Sequence, residues 1–196
     1  MVWRTPDEWG ARMVRRPTKI GVKLNLGFVE LSGEWDPNDA ERAAAWELYV
    51  ELITRVSVVP LDRQEGLLRE ALASLYSIFG ATRDILRRYG PEVAAPKIDG
   101  QLTFGFLAVT ILNAGLRPLL ARWHPALTDW EHQRPDGVSA LVHEQAWERA
   151  DELRTAINEV RVILTDYAAT LALACGIPDL LAAVPAPPPP EAPRGH

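Results

Sequence analysis

Residues 146–175, AWERADELRTAINEVRVILTDYAATLALAC, decide the fold of this chain. Apolar residues recur along this stretch at alternating intervals of four and three: Ala146, Ala150, Leu153, Ile157, Val160, Leu164, Tyr167, Leu171 and Ala174. Such a seven-residue repeat lines one stripe of an α-helix, and the stripe must be covered by neighbouring helices. The opposite face carries acidic residues, which are Glu144, Glu148, Glu152, Glu159 and Asp166. We expect that face to lie in water.

Two earlier stretches repeat this spacing. The second predicted helix has Asp62 as its cap and Gly90-Pro91 as its end, since glycine and then proline favour a helix end. Its stripe is Leu68, Leu72, Leu75, Phe79, Thr82, Leu86 and Tyr89. The stripe of the third helix is Leu102, Phe106, Val109, Asn113, Leu116, Leu120, Trp123, Leu127 and Trp130.

A first helix is predicted to begin in the cluster Asp36–Asp39, where a cap residue precedes a proline suited to a first helical turn, and to end at Pro60. Its stripe is Ala43, Trp46, Val50, Ile53 and Ser57. Four such helices joined by short connections predict a mainly all-α fold, an antiparallel four-helix bundle over residues 36–183.

The segments around the bundle differ in pattern. Residues 19–32 alternate apolar and polar with a change of phase after Gly27, which predicts a short β-hairpin or one long bent strand within an N-terminal arm, residues 1–35. Six prolines fall in residues 185–193, so residues 184–196 are expected to form a disordered or polyproline-II tail.

Composition excludes several classes of function. A net charge of −5 disfavours nucleic acid as a partner, and no stretch approaches the roughly 20 uncharged apolar residues that a transmembrane helix needs. The single cysteine, Cys175, rules out an internal disulfide framework. No phosphate loop, cofactor motif or pair of metal-binding Glu-x-x-His motifs is present, so we predict no cofactor and no metal site.

The third helix contains two prolines, Pro118 and Pro125, within its repeat. Each removes a backbone donor and crowds the carbonyl four residues earlier, so a kink or a new helix start at Pro118 is expected. A kink opens space between helices, and the titratable and aromatic residues around it are candidates for a ligand site: Arg117, Trp123, His124, Trp130 and Glu131. In that site Arg117 would bind an anion and His124 or His132 would act as acid or base. Alternatively, the tryptophans belong to the core and the charges to a wet surface.

Asn113 is a polar residue on an otherwise apolar stripe. A buried amide must find hydrogen-bond partners, and Thr82 on the second helix is the polar residue that could supply one. Asn113 is therefore predicted to set the register of the bundle, with contact to a ligand as the alternative.

Three tryptophans, Trp3, Trp9 and Trp35, lie outside the helical stripes. Aromatic side chains of this kind anchor interfaces, so these are candidate partner contacts, or else they pack the arm on its own bundle. The first 24 residues are also basic, which leaves contact with a membrane surface open.

The pattern favours a non-enzymatic interaction module or adaptor subunit of a larger bacterial assembly, located in the cytoplasm and bound to a protein partner. A small-molecule sensor or an enzyme with its pocket at the Pro118–Pro125 kink is the alternative. No catalytic residue is assigned, and the oligomeric state is left open.

Overall fold

The computed structural model describes residues 17–27, 29–55 and 66–181, without the side chain of Asp99. This part of the chain is mainly helical and starts with a two-stranded antiparallel sheet, so the prediction of a mainly α-helical fold with an N-terminal β-hairpin is confirmed. The elements are β1 (Ile20–Asn25), β2 (Glu30–Trp35), α1 (Asp39–Ile53), α2 (Leu68–Tyr89), α3 (Phe104–Thr110), α4 (Arg117–Glu131), α5 (Ala140–Gln145) and α6 (Ala150–Cys175). Two 3₁₀ turns, Gly90–Ala94 and Ile98–Gly100, follow α2, and a π-helix, Ile111–Leu116, joins α3 to α4.

The hairpin reverses at Gly27, whose φ of 88° suits a residue without a side chain. Strand β1 pairs with β2 in the register Ile20 to Trp35 through Asn25 to Glu30. Its inward face, Ile20, Val22, Leu24 and Leu26, is buried in the same core as the helices. The hairpin is thus part of the helical domain, covered by contacts between β1 and α6.

Helix α1 begins two residues later than a cap at Asp36 would require. Asn38 is the cap, and it forms a capping box in which its side chain accepts from the Glu41 backbone while the Glu41 carboxylate accepts from the Asn38 backbone. The predicted stripe of α1 is wrong in its described part, because Ala43 and Trp46 are exposed and Val50 and Ile53 half-buried, while the neighbouring face is buried; Ser57 lies outside the described residues. That face is Glu41, Ala44, Ala45, Leu48, Tyr49 and Leu52.

Glu41 joins four segments of the chain and is fully buried. Its carboxylate accepts hydrogen bonds from Trp35 Nε1 at 3.2 Å and from the backbone N–H groups of Asn38 and Phe104, both at 2.9 Å. It also forms an ion pair with Lys97. A buried carboxylate is tolerated only with such partners, so this contact fixes the hairpin, α1 and the start of α3 together.

Helices α2 and α6 bury the predicted stripes. Every predicted position from Ala150 to Ala174 is buried in α6, while Ala146 is exposed and precedes that helix. The stripe of α2 is buried or half-buried along its length, and α2 ends at Gly90 as predicted. Both helices pack against α1 and against each other, and α2 also contacts α4.

The third predicted stripe is correct in its second half and wrong in its first. Leu116, Leu120, Trp123 and Leu127 are buried, whereas Phe106, Val109 and Asn113 are exposed. In α3 and the start of the π-helix the buried residues with large or apolar side chains are instead Phe104, Leu107, Ala108, Ile111 and Leu112. A π-helix bonds each N–H to the carbonyl five residues back, so it inserts one residue and rotates the upstream stripe out of phase.

One helix among the described residues, the continuous segment Phe104–Glu131, is long and apolar enough to cross a membrane by length and composition. Within its most apolar window 56% of the residues are buried inside the protein, and core helices of soluble proteins meet the same criterion. Asn113, Arg117 and Pro118 interrupt this stretch, so it does not meet the sequence criterion of about 20 uncharged apolar residues.

Residues 1–16 and 182–196 lie outside the described part of the chain. Predictions for the basic N-terminal segment, for Trp3 and Trp9, and for the proline-rich tail therefore remain predictions. The prediction that Asp62 caps α2 is wrong, because α2 begins at Leu68 with Leu67 in the cap position. Pro60 also lies outside the described residues, and α1 ends before it, at Ile53.

Candidate functional site

A groove lies between α2 and the π-helix, at the position where the sequence predicts a kink. Pro118 has no N–H to donate to the carbonyl of Ala114, and its ring crowds that carbonyl. The chain responds by widening the preceding turn, so that the backbone N–H of Arg117 bonds to the carbonyl of Leu112, five residues back. The helix stays continuous, and the disturbance becomes a π-helix beside the groove.

The groove combines an apolar floor with a cationic rim. It has a volume of about 360 Å³ and is lined by Phe79, Thr82, Arg83, Leu86, Arg87, Leu112, Asn113 and Arg117. Three of these residues are arginines, and no lining residue is acidic. Arg87 is 3.7 Å from Asp84, a contact between two well-exposed side chains. Guanidinium groups in this setting are suited to bind carboxylates, and the floor is suited to apolar groups.

Arg117 is held in place on the groove wall. Its Nε donates to Asn113 Oδ1 at 2.8 Å, and its guanidinium carbon lies 5.5 Å from the centre of the Phe79 ring. Asn113 in turn donates to the carbonyl of Val109 at 2.9 Å. The predicted pairing of Asn113 with Thr82 is therefore wrong, because the π-helix rotates Asn113 to the surface, whereas Thr82 on α2 is buried.

The exposed half of the third stripe continues from this groove along α3. Phe106 is 51% exposed and Val109 is 45% exposed, and both lie on the helix face that leads to Asn113. We call the surface formed by Phe106 and Val109 the α3 stripe. It is apolar, and the described residues do not cover it.

A second, more enclosed cavity lies where α2 begins and α4 ends. It has a volume of about 190 Å³ and is lined by Leu67, Arg69, Leu127, Trp130, Glu131, Arg134, Ala140, His143 and Glu144. We call it the end cavity. Two of the five predicted ligand residues, Trp130 and Glu131, are among its walls.

Arg69 organises the polar side of the end cavity. Its guanidinium makes a two-pronged ion pair with Glu131, at 2.6 to 3.1 Å, and donates to Thr128 Oγ1 at 2.9 Å. It also contacts His124 Nδ1 at 3.0 Å, where the ring nitrogen must accept because arginine only donates. His124 thus enters the network through Arg69 and is not among the residues that line the cavity.

The environment of His124 keeps its ring neutral. Burial, followed by the positive charge of Arg69, lowers the pKa of His124 below its usual 6.5, although Glu131 acts in the opposite direction. With Nδ1 accepting, Nε2 carries the proton, and that atom is buried without a hydrogen-bond partner in the described structure. The ring meets Tyr76 edge to face, with centroids 5.8 Å apart.

Glu144 caps the start of α2 from a distant part of the sequence. Both of its carboxylate oxygens accept from the Leu68 backbone N–H, at 2.9 and 3.0 Å, because the cap residue Leu67 has no side-chain acceptor. Burial raises the pKa of Glu144, while the hydrogen bond from Leu68 and the charge of Arg154 act against this effect. Glu144 is buried on α5, so the predicted solvent-facing acidic row does not include it.

His143 and Trp130 hold α5 against α4. Their rings stack with centroids 4.5 Å apart, Trp130 Nε1 donates to the His143 carbonyl at 3.0 Å, and His143 Nε2 lies 2.8 Å from the Trp130 carbonyl. A carbonyl can only accept, so Nε2 carries a proton and, in the neutral ring, Nδ1 is the acceptor.

The five predicted ligand residues do not converge on one cavity. Arg117 lies at the groove, Trp130 and Glu131 at the end cavity, and His124 beside it. Trp123 is buried in the core, edge to face with Trp147 at 6.0 Å. The sequence does not reveal that Arg69 and Glu144 reach the end cavity, because their partners Glu131 and Leu68 lie 62 and 76 residues away along the chain. It also misses His143, although Trp130 is only 13 residues away.

Trp35 is not available as an interface residue, because its side chain is fully buried and its indole N–H donates to Glu41.

Within residues 17–27, 29–55 and 66–181, no group of three or more His, Cys, Asp or Glu side chains is placed to hold a metal ion. No protein-family model, curated protein or solved structure matches this chain significantly.

Proposed function

We propose that this protein is a non-enzymatic interaction module, a four-helix bundle that serves as an adaptor subunit in a larger cytoplasmic bacterial assembly. Its partner docks a helical segment along the α3 stripe and the adjoining groove. The observation that carries the proposal is the exposure of Phe106 and Val109, an apolar pair at helical spacing that the described chain does not cover.

The chemistry of the surface indicates the kind of segment that would fit. Large apolar side chains at consecutive helical positions are typical of grooves that receive an amphipathic helix. The rim arginines, Arg83, Arg87 and Arg117, favour carboxylates beside the apolar contacts. The partner segment is therefore expected to alternate apolar anchors with Asp or Glu.

Site-specific photo-crosslinking tests this proposal in cells of the native host. The photoreactive residue p-benzoylphenylalanine replaces Phe106 in one variant and Val162, which is comparably exposed on α6, in the matched control. We expect one discrete heteromeric adduct from position 106 and none of that size from position 162. Mass spectrometry should place the adduct at an acidic, amphipathic segment.

Charge reversal tests the cationic rim separately. The double change Arg83→Glu and Arg117→Glu should lower the adduct yield about tenfold, equivalent to about 1.4 kcal/mol of lost affinity. The double change Lys19→Glu and Lys23→Glu at the hairpin, far from the groove in sequence, reverses the same number of charges and should leave the yield unchanged. Equal adducts at positions 106 and 162, or an adduct containing two copies of this chain only, would contradict the proposal.

A small-molecule role is the second candidate, and the end cavity favours it. This cavity is the more enclosed of the two sites, and it places the Trp130 ring beside charged groups of both signs, Arg69 and Glu131. A ligand bound there should alter the fluorescence of Trp130. Screening a library of small polar compounds by thermal shift, with Trp130→Phe as the fluorescence control, tests this role; a library without a single stabilising compound argues against it.

A further inference from the structure

The groove between α2 and the π-helix holds positive charge that the described chain does not neutralise. Arg83 and Arg87 are four residues apart on one face of α2, where like charges repel each other, and Arg117 lines the opposite wall. Within the described segments, Arg83 and Arg117 form no ion pair, and Arg87 contacts Asp84 at 3.7 Å between two exposed side chains. An exposed pair of this kind contributes little. The groove therefore offers three guanidinium groups to an anion.

Arg117 is already held in a position that suits binding. Its Nε donates to Asn113 Oδ1 at 2.8 Å, and its guanidinium carbon lies 5.5 Å from the centre of the Phe79 ring. Both partners are uncharged, so they leave the positive charge available while they restrict the side chain. A group that is ordered beforehand loses less conformational freedom when it binds a carboxylate or a phosphate.

An inorganic anion alone would leave the floor of the groove in water. Phe79 and Leu86 are half-buried and Leu112 is buried, so apolar surface lines the same groove as the three arginines. Covering that surface removes apolar area from water and so favours binding. The volume of about 360 Å³ lies within the range of roughly 300–1,000 Å³ that is typical of small-molecule sites.

The end cavity differs in its charges. There Arg69 pairs with Glu131 at 2.6 Å, and Glu144 lies 3.7 Å from Arg154, so most of the charges of that cavity are already paired. Positive charge beside an apolar floor is therefore a property of the groove.

We propose that the groove is a binding site for a small organic anion, which carries a carboxylate or phosphate group on an apolar body. The anionic group binds between Arg83 and Arg117, and the apolar body covers Phe79, Leu86 and Leu112. Such a ligand also displaces the acidic partner segment, because both need the same arginines; this second step rests on the function proposed above. Partner binding then depends on the concentration of the anion.

Isothermal titration calorimetry of the full-length chain with octanoate tests the site without any partner. Octanoate should bind at least about tenfold more tightly than octanamide, which has the same shape without the charge, and than butyrate, which has a shorter apolar body. Titration with octyl phosphate distinguishes the two anionic groups, since the tighter of the two anions identifies the preferred one.

Substitution of the arginines tests the charge contribution. The double change Arg83→Gln and Arg117→Gln alters two exposed side chains, so the fold is kept, and it should weaken octanoate binding about tenfold. The matched control, Lys19→Gln with Lys23→Gln at the hairpin, removes the same number of charges and should leave the affinity unchanged.

Nuclear magnetic resonance locates the bound anion. Octanoate should shift the backbone amide signals of Leu86, Leu112 and Asn113, and it should leave those of strand β1 unchanged. Equal affinity for octanoate and octanamide, unchanged affinity in the protein that lacks Arg83 and Arg117, or shifts confined to another part of the chain would overturn the site.

Photo-crosslinking from position 106 tests the displacement in extracts of the native host. Octanoate at ten times its dissociation constant should lower the yield of the heteromeric adduct about tenfold, whereas octanamide at the same concentration should not. An adduct that persists under these conditions would overturn the displacement. Octanoate binding without any adduct would refute the proposed partner and support the anion site, whereas an adduct without octanoate binding would refute the anion site and support the partner.

Discussion

Two buried tyrosines should respond to loss of the hydroxyl with opposite signs. Tyr167 on α6 is buried, and its hydroxyl has no hydrogen-bond partner among the described residues. Burial alone raises the pKa of Tyr167. Tyr49 on α1 is also buried, but its hydroxyl donates to Asp179 Oδ1 at 3.1 Å and accepts from the Leu180 backbone at 2.6 Å.

The substitution Tyr167→Phe removes a hydroxyl that loses its hydrogen bonds to water when the chain folds and gains no partner among the described residues. The desolvation penalty of such a group is about 1–3 kcal/mol, and the phenylalanine ring fills the remaining space. We therefore expect Tyr167→Phe to raise the free energy of unfolding by about 1 kcal/mol, which raises Tm by roughly 2–4 °C in a chain of this length.

The substitution Tyr49→Phe removes two hydrogen bonds and leaves the Leu180 N–H without its acceptor, while Asp179 Oδ1 keeps the hydrogen bond from the Leu181 backbone N–H. We expect a loss of about 1.5 kcal/mol and a fall in Tm of roughly 3–6 °C. The ring contact with Trp46, at 6.1 Å between centroids, is kept in both proteins.

Urea unfolding followed by circular dichroism at 222 nm measures both variants against the wild type at pH 7. An unchanged dependence on urea concentration is required, since it shows that the comparison concerns stability alone. If Tyr167→Phe lowers stability by more than about 0.5 kcal/mol, the hydroxyl has a partner such as a buried water, and the reasoning fails.

Four further substitutions test three of the polar contacts, each by urea unfolding. Glu41→Gln leaves Lys97 without its buried counter-charge and should lower the free energy of unfolding by about 3 kcal/mol. Lys97→Met should cost less, because Glu41 keeps three other hydrogen-bond donors. If Lys97→Met is the more destabilising change, the ion-pair assignment is contradicted. His124 has a pKa below 6.5 in the folded protein, so the unfolded chain binds more protons just below that pH and stability should fall as the pH is lowered through 6.5; His124→Gln should flatten this dependence between pH 7 and 5. Glu144 has the opposite behaviour, because its pKa in the folded protein lies above 4.5 and its contribution to the free energy of unfolding therefore falls as the pH rises from 4.5. Glu144→Gln should accordingly gain stability relative to the wild type from pH 4.5 upward. A difference between the two proteins that stays constant over that range would refute this reasoning.

The stripes of α2 and α6 are predictable from sequence because each helix has a single apolar face. Helix α1 does not, since its run of alanines from Ala43 to Ala45 makes two faces look equally apolar. The face that is buried contains Glu41, which a sequence pattern counts as polar. That burial is tolerated only because Trp35, Phe104 and Lys97 donate to the Glu41 carboxylate from other parts of the chain, and no local sequence pattern predicts these contacts.

The end cavity is hidden for a related reason. Glu144 is 76 residues from the backbone N–H it caps, and Arg69 is 62 residues from Glu131. The sequence does mark Trp130 and Glu131 as a concentration of aromatic and charged groups, but it does not show which helix start they meet. A helix without a cap residue of its own, such as α2 at Leu67, is the signal that a distant acceptor is needed.

The groove beside α2 follows from one insertion in an otherwise regular helix. The sequence of the third helix reads as an unbroken heptad repeat, but the π-helix from Ile111 to Leu116 inserts one extra residue, and that residue separates two faces of one helix. Downstream, the repeat supplies the core. Upstream, the same repeat carries Phe106 and Val109 into water, while Pro118 holds the turn open at the point where Arg117 joins the rim. A regular α-helix would bury either the predicted stripe or the observed one along its whole length. The π-helix lets one helix do both, and it is the reason the partner surface that we propose and the hydrophobic core can share a single heptad pattern.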